Sequence, residues 1–94
     1  MEQFVLNVFP NSAVEILTIE YTLDEISFVS LSVYNTSGEK INLLVKELSE
    51  PGKHRIDFDL SQLPPGIYVC EAIISKREAL KQESKQQMKF AVIK

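Results

Sequence analysis

The chain of 94 residues has one cysteine, one histidine, three glycines and no tryptophan. A single cysteine, Cys70, excludes an internal disulfide and the paired spacing of a zinc site, so no metal is expected. Nucleophilic catalysis would have to combine Cys70 with His54. Both fall on apolar faces of strand-like stretches, where a lone cysteine behaves as a small hydrophobe, and no catalytic residue is assigned. The three glycines stand singly at turns, which leaves no glycine-rich phosphate loop. No stretch approaches the roughly 18 consecutive apolar residues of a membrane span. Residues 1–9 carry Glu2 and Gln3 where an export leader has basic residues. At this length the expectation is one domain, residues 1–94, too small for a deep cofactor pocket; no cofactor and no small-molecule substrate are expected.

What is present is an ordinary globular composition, 45% hydrophobic with a mean hydropathy of −0.02. The net charge of −3 is unevenly distributed. Up to Ser75 there are 4 basic against 11 acidic residues, a net of −7; from Lys76 onward there are 6 against 2, a net of +4. An acidic body carries a basic tail. Phe28 and Tyr34 do not interleave with Lys and Arg, so a stacking platform for nucleic acid is not expected, and both aromatics are expected to pack inward.

The dominant periodicity is two. Leu17, Ile19, Tyr21 and Leu23 alternate with Thr18, Glu20 and Thr22, the pattern of a half-buried strand. Val29, Leu31 and Val33 repeat it and end at Asn35-Thr36-Ser37-Gly38, a turn composition that returns the chain through residues 40–48. Pro51-Gly52 makes the next turn. His54, Ile56, Phe58 and Leu60 then alternate with Lys53, Arg55, Asp57 and Asp59. Asp57 and Asp59 lie about 7 Å apart on one strand face, a separation carboxylate pairs use in glycoside hydrolysis and also the ordinary spacing of a solvent face, which is favoured here. Pro64-Pro65-Gly66 forms a corner, since successive prolines lack ladder donors. Tyr68, Cys70, Ala72 and Ile74 share the face of the next strand, and Met88, Phe90 and Val92 that of the last, residues 87–93. Residues 4–9 are a candidate first strand. Residues 76–85 contain good helix formers but one large apolar side chain, so they are expected to form a solvated loop with at most a frayed helical turn. These features predict an all-β fold, an immunoglobulin-like antiparallel β-sandwich of about seven strands, with a small barrel as the structural alternative. Tyr68 is expected to act as a corner tyrosine, its ring inward and its hydroxyl on a backbone acceptor.

Taken together, four segments resemble a known family, the C-terminal sorting domain of type IX secretion, related to the immunoglobulin-like domain of flagellar hook-capping proteins. They are Phe9-Pro10-Asn11 with residues 17–23, the hairpin of residues 33–41, residues 56–69 with Pro64, Gly66 and Tyr68 at the corner, and the final Lys89, Val92 and Lys94 in a pattern of Lys, two residues, Val, one residue, Lys. Ser12 stands where the family usually has a second proline. The resemblance implies a non-catalytic address label, recognised by an outer-membrane translocon and removed by a sortase at the cell surface. It implies translocon recognition through Lys89, Val92 and Lys94, and a secreted or surface-anchored cargo that crosses the periplasm as part of a larger protein. The alternatives are a structural or adhesive immunoglobulin-like module not involved in export, and a stand-alone cytoplasmic relative.

Overall fold

The computed structural model describes residues 5–10, 12–76 and 79–94. Its strands are β1 (Val5–Phe9), β2 (Ser12–Ala13), β3 (Ile16–Leu23), β4 (Ser27–Asn35), β5 (Lys40–Ser49), β6 (Gly52–Asp59), β7 (Gly66–Lys76) and β8 (Ala79–Val92). They form two sheets, β1-β3-β6 and β2-β8-β7-β4-β5. Seven strands pair antiparallel and only the two-residue β2 runs parallel to its neighbour, β8. With the chain switching sheets between β1 and β2, this is the expected immunoglobulin-like sandwich, in which β4, β7 and β8 stand for strands C, F and G.

The period of two produces this arrangement directly. Leu17, Ile19, Tyr21 and Leu23 from β3 and Val29, Leu31 and Val33 from β4 are all buried, as are Tyr68, Cys70, Ala72 and Ile74 from β7. These rows interdigitate between the sheets, each large side chain contributing about 1.5–3 kcal/mol of burial. The β4–β5 turn forms as its composition predicts. Asn35 Oδ1 accepts from the N–H groups of Ser37 and Glu39, the Gly38 N–H donates to the Asn35 carbonyl, and Gly38 takes φ +87°, a conformation that only glycine adopts without strain.

Three expectations are corrected. Of residues 76–85, those described are strand and not loop, because β7 extends to Lys76 and β8 begins at Ala79. The absence of an apolar stripe rightly excluded a packed helix. The backbone was free to pair with β7 instead, and ladder hydrogen bonds outweigh helix propensities of a few tenths of a kcal/mol per residue. The same pairing starts the last strand at Ala79 rather than at residue 87. Third, Phe28 faces outward, opposite Leu48 on the outer surface of the larger sheet, and is 44% exposed. Tyr34 is only half-buried, with the Lys40 ammonium 5.9 Å from its ring centroid. Residue 4 of the expected first strand and Asn11 at its end lie outside the described residues.

Candidate functional site

The two motifs singled out by sequence, the corner and the terminal pattern, meet at one end of the sandwich. Strand β8 lies antiparallel to β7 in a register that sets Val92 opposite Gly66 and Phe90 opposite Tyr68. The Tyr68 and Phe90 rings stack at 5.7 Å, an aromatic pair that fixes the last strand against the corner. The Tyr68 hydroxyl donates to the Pro64 carbonyl oxygen at 2.6 Å, as expected of a corner tyrosine. Because Pro64 and Pro65 cannot donate, the chain turns without ladder bonds, and this hydrogen bond holds the turn closed from within.

Lys94 reaches the same corner from the other side. Its Nζ donates to the carbonyl oxygens of Leu60 (3.0 Å), Ser61 (3.1 Å) and Leu63 (2.7 Å), which uses all three ammonium protons. The carbonyls converge because Leu60 and Leu63 are both buried and the Leu63 N–H donates to the Leu60 carbonyl, folding residues 60–63 into a tight turn. Asp59 caps that turn by accepting from the Ser61 N–H at 2.8 Å. This backbone hydrogen bond, chiefly, holds the Asp59 carboxyl below its usual pKa, with a smaller contribution from Lys94. An open cleft of about 540 Å³ adjoins the turn, lined by Val14, Glu15, Ile16, Asp59, Ser61 and Lys94.

The terminal pattern therefore divides by environment. Val92 is 3% exposed and belongs to the core. Lys94 is held by the corner. Lys89 is exposed on the outer face of the larger sheet, opposite Val69, in a shallow depression with Tyr34, Glu71, Lys85 and Gln87. Glu71, 8% exposed on that face, accepts from Gln87 Nε2 at 2.7 Å and has Lys85 Nζ at 3.9 Å. Desolvation first, then the Glu71 carboxylate, raises the Tyr34 phenol above its usual pKa.

The remaining candidates are kept apart. His54 on β6 stacks on Tyr21 at 5.1 Å and donates from Nε2 to the Glu50 carbonyl, whereas Cys70 lies on β7 in the opposite sheet, fully buried. Burial, with Glu71 next to it, pushes the Cys70 thiol up to about 12, the opposite of what a nucleophile needs. Asp57 accepts from the Thr18 hydroxyl at 2.9 Å and pairs with Arg55, so neither carboxylate of the Asp57/Asp59 pair faces an enclosed site. Among the described residues no helix is long and apolar enough to cross a membrane.

Sequence reasoning missed the carbonyl acceptors of residues 60–63, because backbone atoms have no residue-type signature. It also missed the Glu71–Gln87 pair, which becomes visible only once the register of β8 on β7 is known. A search of curated proteins finds no match. The family model of the secretion system C-terminal sorting domain matches residues 7–92, a span that includes most of β1, all of β2 to β8 and the corner, and that stops two residues short of Lys94. The chain belongs to the family of secretion system C-terminal sorting domains, the sorting signal of type IX secretion, whose cargo is secreted or displayed at the cell surface.

Proposed function

We propose that the domain is read in its folded form, and that Lys89 is the part of the terminal pattern that a translocon protein touches, whereas Val92 and Lys94 keep that strand in place. The observation that carries this reading is the division of the pattern: Lys89 is exposed, Val92 is buried, and the Lys94 ammonium is saturated by three carbonyls. The partners are an outer-membrane translocon protein and a surface sortase, and residues 1–94 act as one unit with no catalytic role of their own. Sorting needs no reaction from the label, which fits a chain whose cysteine and histidine are committed to packing. Pro64, Gly66 and Tyr68 shape the corner that receives Lys94.

The test is a signal-peptide reporter fused ahead of residue 1 in a host with type IX secretion. Lys89→Ala should reduce surface delivery with the folded domain's stability intact, and Lys94→Gln should reduce delivery only in proportion to lost stability. Equal delivery of wild type and Lys89→Ala would remove Lys89 from the interface. Deleting residues 89–94 is not a clean test, because it also removes the buried Phe90 and Val92.

A further inference from the structure

The outer face of the larger sheet is interrupted at one place. Strand β5 slips against β4 between Leu31 and Ser32 and again between Val33 and Tyr34, so the regular cover of side chains breaks around Ser32 and Tyr34. An open depression of about 590 Å³ lies there, between the β4–β5 turn and strands β7 and β8. The registers place Val69 opposite both Tyr34 and Lys89, and Glu71 opposite both Ser32 and Gln87.

The side chains in the depression are polar and held in place. Glu71 is 8% exposed although it lies on the outer face, and a carboxylate so placed is costly unless it is partnered. Gln87 Nε2 donates to Oε2 at 2.7 Å and the Lys85 ammonium lies 3.9 Å from the same oxygen, which fixes the carboxylate and leaves acceptor sites on Oε1. Tyr34 brings a half-buried ring. The turn beside it is braced, because Asn35 Oδ1 accepts from two backbone N–H groups while Nδ2 donates to Glu39 Oε1 at 2.8 Å. Lys89 stands exposed at the rim.

Charge decides what this arrangement can take. A cationic group would meet the ammonium groups of Lys85 and Lys89, and that of Lys40 at 5.9 Å from the Tyr34 ring centroid. An anionic group would meet the Glu71 carboxylate. An apolar ligand has a better surface further along the same face, where Phe28, Leu48 and Ile73 line a second depression. A neutral pyranose ring suits every group present: its hydroxyls donate to Glu71 and accept from Lys85 and Lys89, and its C–H face lies on Tyr34. We infer that this depression is a saccharide-binding site on the folded domain, a binding face without catalysis. The inference does not rest on the sorting reading, although Lys89 is common to both.

The probes are glucose, mannose, galactose and N-acetylglucosamine with the disaccharides cellobiose, maltose and lactose, each titrated to tens of millimolar into the isotopically labelled domain. With at least one of them, amide shifts should concentrate at residues 34–36, 69–71 and 85–89. Tyr34→Ala should weaken that binding about tenfold, and Tyr34→Phe, which keeps the ring, by about twofold at most. Lys89→Ala changes an exposed side chain, should weaken binding by a smaller factor than Tyr34→Ala, and serves if that variant does not fold. Absence of shifts with every sugar, shifts confined to Phe28, Leu48 and Ile73, equal binding by wild type and the folded Tyr34→Ala, or tighter binding of a Glu-rich or Lys-rich peptide at the same residues would each overturn the inference. In the export assay, normal delivery of Lys89→Ala refutes the translocon contact and leaves a measured sugar complex standing. Delivery that depends on Lys89, by a domain that binds no sugar, does the reverse.

Discussion

Tyr68 and Lys94 hold one corner by different chemistry, and their substitutions should separate the two. Tyr68→Phe keeps the ring on Phe90 and loses the hydrogen bond to the Pro64 carbonyl, an expected cost of about 1 kcal/mol in denaturant unfolding. Lys94→Gln exchanges three charge-assisted donations for at most two neutral ones at a solvent-accessible site, so about 1 kcal/mol is again expected, measured in the same way. Cys70 makes a prediction of opposite character. Its folded pKa of about 12 lies above the unfolded value near 9, so the unfolded chain loses this proton first as pH rises. The contribution is complete below pH ~9 and declines by up to about 1.4 kcal/mol per pH unit toward 12. Thermal melts at pH 8 and 10 should therefore show a larger loss for wild type than for Cys70→Val, and the thiol should resist aromatic disulfide reagents until the domain unfolds.

At the scale of elements, β8 is where sequence and structure part most clearly. Its last third was legible: Phe90 and Val92 alternate as a half-buried strand does, and both are buried. Its first part has Ser84 and Gln86 on the inward positions, so no apolar alternation marks it, and the pairing with Ile73 to Ser75 of β7 makes it a strand. The Ile93 N–H donates to the Ala13 carbonyl beside β8, so by alternation the even positions of β8 direct their N–H groups to β7, which supplies a check. Ser84→Pro removes an N–H that serves the β7 ladder and should lower the melting temperature well beyond Lys85→Pro, one residue away; equal melting of the two would show the assigned register to be wrong. The Lys76 ammonium, 3.4 Å from Asp24 and 3.3 Å from Glu25, ties the end of β7 to the β3–β4 connection.

For the whole molecule, truncation of the terminal strand tests the fold before it tests recognition. The terminal strand is one of the five in the larger sheet and supplies two buried side chains. A chain ending at residue 88 should therefore lose cooperative unfolding, as judged by circular dichroism and calorimetry, rather than remain a folded domain without its label. Retention of a wild-type melt by that chain would contradict the core role given to Phe90 and Val92. The molecule extends over 42 × 24 × 20 Å, with the corner and the terminal residue together and β8 running away from them along the larger sheet.

The sequence by itself determined the sheet-forming character of the chain, the inward rows of β3, β4 and β7, the turn at Gly38, the corner tyrosine and the basic tail. Each of these depends on residue type at a spacing of two or on a local conformational demand, and such signals survive in one dimension. Only the tertiary structure decided that residues 79–86 are strand, that the Lys94 ammonium is spent on the carbonyls of Leu60, Ser61 and Leu63, and that Val92 is in the core while Lys89 lies exposed on the outer face of the larger sheet. Those outcomes depend on strand register and on backbone oxygens some 30 residues away in the chain. A regular pattern of Lys, Val and Lys therefore has one residue on the open face of a sheet, one in the core and one at the corner.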